Sequence, residues 1–177
     1  MDRLAGVPDG TTSFYYRTRS ALLHGVADQL VRYDAEAFTE AFKDVPNSSG
    51  DVIADILAGQ ILSIRAEPQL ARTRARLELT MLAKGDPDIA AGFQEMAVSF
   101  RALVERLVLA VQAGDGPLDK ALLDEQASVV LSYLGGLIFA FANGSPEPMT
   151  RGDIARQIRA VIVGVAVQNA REHVRSG

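Results

Sequence analysis

Apolar residues recur every three or four positions along nearly the whole chain, and no stretch alternates with period two for long enough to make a strand. That spacing predicts an all-α fold. Its clearest expression is Ile89, Phe93, Met96, Phe100, Leu103, Leu107 and Val111, a single stripe on one helix. Asp86 and Pro87 supply the start, as N-cap and first-turn residue.

Punctuation divides the rest of the chain. A long helix is expected from about Ser20 to Phe42, with Leu22, Val26 and Leu30 on one face. The loop Pro46-Asn47-Ser48-Ser49-Gly50 ends it. A helix beginning near Asp51 carries Ile53, Ile56, Leu57, Ile61 and Ile64, until Pro68 breaks or restarts it. The next segment, with Leu70, Leu77 and Met81 set among arginines, runs to about Lys84, and Gly85 is expected as its C-cap.

Two strongly apolar helices close the chain. One follows the turn Gly114-Asp115-Gly116-Pro117 and carries Val130, Leu131, Leu134, Leu137, Ile138 and Phe141 to about Ala142. The loop Asn143-Gly144-Ser145-Pro146-Glu147-Pro148 stops it. Thr150-Arg151-Gly152-Asp153 resembles a capping box, and the final helix carries Ile154, Ile158, Val161, Ile162, Val165 and Ala166. Apolarity wider than one stripe suggests burial on more than one side. A four-helix bundle built from two copies of this pair (residues 118–142 and 151–174) would provide it, as would the core of a single copy.

Composition narrows the functional classes. With no cysteine, a disulfide framework and thiolate chemistry are excluded. No run reaches the roughly 18 to 20 continuous apolar residues that cross a bilayer, and no basic-then-apolar leader opens the chain. A cytoplasmic protein making no membrane contact is therefore expected. A net charge of -4 argues against non-specific coating of nucleic acid. Residues 1–33 are nevertheless the least acidic part, with Arg3, Arg17, Arg19 and Arg32 against Asp2, Asp9 and Asp28.

The segment from Ala5 to Leu23, AGVPDGTTSFYYRTRSALL, reads as a turn followed by a very short helix. Gly6 can adopt the positive φ that closes a preceding helix, Pro8 and Asp9 suit the next start, and Gly10 permits close backbone approach. A short exposed helix between two tight turns is how a helix-turn-helix presents its reading element to the major groove.

Here the chain resembles the TetR (tetracycline-repressor-like) family of transcriptional regulators, whose signature reads approximately A-G-V-S-x-G-T-L-Y-x-Y-F-x-S-K-E-x-L. Ala5, Gly6, Val7, Gly10, Thr11, Tyr15, Tyr16, Thr18, Arg19 and Leu22 match or conservatively replace it, whereas Pro8, Thr12 and Ser13 depart from it. The family places a complete first helix and most of a second before this turn. Only Met1-Asp2-Arg3-Leu4 precede Ala5, so the headpiece is expected to be incomplete in the given sequence.

The resemblance implies a DNA-binding part with its connecting helix over residues 1–43 and an effector-binding, dimerising part over residues 50–177. The two C-terminal helices would form a homodimer interface. It also implies a ligand-responsive regulator, most often a repressor, that leaves double-stranded operator DNA when a small molecule moves the connecting helix. Thr11, Thr12, Ser13 and Tyr15 would face the groove, and Tyr16, Arg17 and Arg19 would hold phosphates. Phe14 and one of the tyrosines are expected to pin the small headpiece core.

For the effector, a mostly apolar ligand fits helices rich in Ile, Leu, Met and Phe. The candidate lining residues are Ile61, Arg65, Leu77, Met81, Phe93, Met96, Phe100, Tyr133 and Phe139, with Arg65, Thr80 and Tyr133 available for orientation. The alternating arginines 72, 74 and 76 read as a solvated face. No catalytic, metal or cofactor motif is present, and His24 and His173 lack ligand-spaced neighbours, so an enzyme is not expected. A helical dimer that binds a hydrophobic small molecule or a protein without touching DNA is the alternative.

Overall fold

A computed structural model of the chain describes residues 2–3, 6–43, 45, 48–82, 85–112, 119–145 and 148–176. Seven α-helices are present, and there is no strand among the described residues. They are α1 (Thr11–Tyr15), α2 (Arg19–Phe42), α3 (Gly50–Ser63), α4 (Gln69–Leu82), α5 (Pro87–Val111), α6 (Lys120–Ala142) and α7 (Arg151–Ser176).

Local chemistry sets most of the starts. Thr18, Ser49 and Asp86 are N-caps whose side chains accept from the backbone N–H three residues on, in Ala21, Val52 and Ile89. Pro87 occupies the first turn of α5, where its missing N–H costs nothing. At α7 the Thr150 hydroxyl donates to Asp153 Oδ2 at 2.7 Å and accepts from the Asp153 N–H at 3.1 Å. The same carboxylate accepts from the Thr150 N–H, a reciprocal capping box.

Several glycines depart from the sequence reading. Gly6 is left-handed at φ 69°, as a turn requires, whereas the expected cap at Gly85 lies beyond residues 83 and 84, which are outside the described residues. Gly10, at φ 94°, is the N-cap of α1, which puts that start two residues beyond Pro8. Gly50 is no loop residue. It is buried at the start of α3, where a Cβ would lie 2.8 Å from the Val111 backbone nitrogen, so glycine here lets α3 meet the end of α5. The turn at 114–117 and Pro46, Asn47, Pro146 and Glu147 lie outside the described residues.

Two cores result. The larger one joins α3, α5, α6 and α7 through Ile53, Leu57, Leu107, Leu134, Ile154, Ile158 and Ile162, and Phe38 and Phe42 at the end of α2 pack against it. The smaller one holds the first half of α2 to α4 and α5 through Ala27, Leu30, Leu79 and Ile89. Burying each of the leucines and isoleucines among them contributes about 1.5–3 kcal/mol. Ion pairs clamp α7 to α3, with Arg151 on Asp55 at 2.5 Å and Arg159 on Asp51 at 3.3 Å.

Inside the larger core Gln126 donates to the Ile162 carbonyl at 2.8 Å, tying α6 to α7. α6 is also long and apolar enough to cross a membrane by length and composition, with a mean hydropathy of 1.4 over its most apolar window. Counting continuous apolar residues overlooks this because Ser128, Ser132 and Tyr133 interrupt the run. A third of that window is buried within the fold.

Candidate functional site

α2, α3, α4 and α5 line a half-open cavity of about 460 Å³, to which α6 adds Gly135 and Ile138. That volume lies within the range of small-molecule sites, about 300–1,000 Å³. α2 contributes Tyr33, Asp34, Ala37, Phe38 and Phe42; α3 contributes Leu57, Gln60, Ile61 and Ser63. The α4 wall is Gln69, Arg72, Thr73, Arg76, Leu77 and Thr80, and the α5 wall is Phe93, Met96, Ala97 and Phe100.

The walls differ in chemistry. α5 offers two phenyl rings two helical turns apart with a thioether between them. α4 offers two guanidiniums one turn apart and hence on one face. Arg76 donates to Asp34 of α2 at 2.5 Å in a partly buried ion pair. The Arg72 guanidinium lies 4.1 Å from the ring centroid of Tyr33, also on α2, a cation–π contact. Both charged contacts therefore join the α4 wall to α2.

Of the nine residues expected at an effector site, Ile61, Leu77, Phe93, Met96 and Phe100 line this cavity, and Thr80 does too. Four do not. Arg65 is exposed on the turn after α3, its guanidinium 5.2 Å from the Phe141 ring centroid. Met81 and Phe139 point outward, 67% and 62% exposed. Tyr133 hydrogen-bonds Gln157 of α7, and partial burial pushes its phenol above the ordinary value. Helical spacing identifies apolar faces, but which face meets a cavity depends on partners that one helix does not reveal.

Tyr33, Asp34, Phe38, Arg72 and Arg76 were missed. The arginines at 72, 74 and 76 are not a uniform solvated face: Arg74 donates to the Ala142 carbonyl at 2.6 Å, and the other two turn into the cavity. The available signal was the stripe Gln69, Arg72, Thr73, Arg76, Leu77 and Thr80, spaced three and four apart like any packed face.

α1 and its turn form the second region of interest. Arg17 and Arg19 are exposed and carry no acidic partner among the described residues. Ser13 is exposed, and Phe14 and Tyr15 are 76% and 72% exposed, meeting edge to face at 5.3 Å between centroids. Phe14 is thus not a core pin. Tyr16, expected on phosphates, is 39% exposed, and its hydroxyl lies 2.7 Å from where a Cβ on Gly25 would stand, so the side chain rests on α2.

The threonines, too, are engaged locally. Thr11 donates to the Pro8 carbonyl at 2.6 Å, and Thr12 bonds the Asp2 carboxylate, which that hydroxyl holds below its ordinary acidity constant. Of the hydroxyls expected to face a groove, those of Ser13 and Tyr15 are left toward solvent.

One further ion pair links the base of this region to the body. His24 Nε2 of α2 lies 2.6 Å from Asp86 Oδ2, the N-cap of α5. The hydrogen bond to Asp86 raises the histidine above its ordinary value and lowers the carboxyl below its own. Comparison of the chain with protein-family models, with curated proteins and with solved structures finds no match.

Proposed function

We propose that the chain is a ligand-responsive DNA-binding regulator of the repressor type, in which the cavity receives an effector and α1 with its flanking arginines meets DNA. The observation that carries this reading is the position of α2. Five of its residues line the cavity, and its N-terminus carries the exposed turn with Arg17, Arg19, Ser13 and Tyr15. A ligand that changes the packing of Tyr33, Asp34 or Phe38 has one continuous helix through which to move α1.

Two copies would be needed to turn that motion into release. Reading helices that engage half-sites about one helical turn apart, roughly 34 Å, lose simultaneous contact after a modest change in separation. α6 and α7 offer the surface for such a pair. Ser132, Gly136 and Phe139 on α6, and Ala160, Val163, Gly164 and Val167 on α7, are exposed at helical spacing.

The test is fluorescence anisotropy with duplexes from the intergenic region beside the gene, titrated with salt, using the chain and a form extended by any in-frame upstream residues. Specific binding is expected, with log K falling linearly in log salt. Arg19→Ala should weaken all duplexes alike and reduce that slope by about one. Absence of salt-dependent binding by either form would leave the alternative, a helical ligand-binding dimer that makes no use of DNA. That second reading is supported by the cavity alone, which needs nothing from α1.

A further inference from the structure

We infer that the effector is an apolar monoanion, an organic acid whose carboxylate sits at Arg72 and whose hydrocarbon body lies against the α5 wall; this deepens, and rests on, the effector part of the reading above. Charge supplies the first argument. Among the described residues three ionised side chains line the cavity: Asp34, Arg72 and Arg76. Arg76 and Asp34 satisfy one another at 2.5 Å, so Arg72 sets the net sign as positive.

Among the described residues Arg72 has no carboxylate partner, and its guanidinium is held only by the Tyr33 ring. An arginine stacked in this way keeps its in-plane N–H groups free, and their fork matches a carboxylate bidentately. A neutral ligand would leave that charge without a counter-ion in a partly enclosed site, and a cation would meet it with repulsion.

The distribution of polarity supplies the second argument. Gln60 and Ser63 stand in the last turn of α3 and Gln69 and Arg72 in the first turn of α4, on either side of the short 64–68 connection. The polar lining of this corner and the apolar set Phe93, Met96 and Phe100 stand on different helices of the cavity wall. A ligand with one charged end and one hydrocarbon end fits that division; a uniformly apolar molecule does not.

The third consequence is regulatory. The same Arg72 that would receive the carboxylate on its edge stacks by its face on Tyr33 of α2, so a bound anion and α2 share one guanidinium. Binding that repositions Arg72 acts on Tyr33 and through it on α2, the helix that leads to α1, a differential contact of the sort that can shift a conformational equilibrium.

The experiment is isothermal titration of the full chain with sodium octanoate, 1-octanol and octylammonium chloride, three probes with the same tail, repeated on Arg72→Gln and on Phe100→Trp, which fills the cavity. Circular dichroism checks that each variant folds. Octanoate should bind on the order of tenfold more tightly than octanol, with octylammonium weakest. Arg72→Gln should abolish the octanoate preference while keeping octanol affinity, and Phe100→Trp should weaken all three.

Octanol or octylammonium binding as well as octanoate would overturn the anion assignment and leave the effector site standing. A preference for octanoate retained in Arg72→Gln would place the anion elsewhere and overturn the role of this residue. Failure of all three probes to bind would remove the cavity as a ligand site, and the effector part of the reading above would fall with it.

Discussion

His24 and Asp86 are 62 positions apart in sequence and join α2 to the start of α5, and their contact is both partly exposed and titratable. The histidine's folded value is raised, chiefly by the hydrogen bond to Asp86, so its contribution to stability is complete below the ordinary histidine value of 6.5 and is lost as pH rises through the folded value. Asp86 is lowered, chiefly by His24, so its contribution is present above the ordinary value of 3.8 and is lost as pH falls through its folded value. Between those limits the bridge is intact. Urea unfolding compared at about pH 5.5 and about pH 8.5 should show the native chain losing stability toward the alkaline side. His24→Gln should remove most of that difference. Equal pH dependence in the two proteins would mean that another group carries it.

At the scale of single elements, what was legible in the sequence was what a few neighbouring residues decide for themselves. Asp86-Pro87 announces α5 because a carboxylate and a residue without an N–H suit a helix start whatever surrounds it. Thr150 and Asp153 announce α7 in the same way. The Thr150 hydroxyl holds the Asp153 carboxyl below its ordinary value, with Arg156 adding to the effect. Thr150→Ala removes both hydroxyl bonds at this cap and should cost about 1 kcal/mol, read as a lower urea midpoint with unchanged slope. No loss would mean that the Asp153 carboxylate, through its bond to the Thr150 N–H, caps the helix unaided.

Illegible were the features that need a second element. Gly50 reads as a loop residue until Val111 is seen against it, and Tyr16 as a phosphate contact until its hydroxyl is seen beside Gly25. Arg72 and Arg76 read as solvated charges until Tyr33 and Asp34 are seen beside them. The cavity therefore escaped the sequence on its charged side, while Phe93, Met96 and Phe100 were found because their stripe is also the packing stripe of α5.

For the whole molecule, the two-sided apolarity of the last two helices resolves into an inner face that is packed and an outer face that is not. Inside, Val130, Leu134, Ile154, Ile158 and Ile162 are fully or almost fully buried. Outside, Phe139 is 62% and Val163 50% exposed, and Gly136 and Gly164 have nothing within 4 Å of the place a Cβ would occupy. Small residues set among large apolar ones leave room for another helix to approach, and burial of such a face is worth about 25 cal/mol per Å² removed from water. A second copy meeting it through a two-fold axis would bury the same patch on both sides and close the assembly. Sedimentation equilibrium should then find a dimer, and Phe139→Arg with Val163→Arg should yield a monomer with unchanged far-ultraviolet circular dichroism. Octanoate affinity should survive in that monomer, because no residue of this face lines the cavity; affinity lost with the dimer would show that the second copy completes the site.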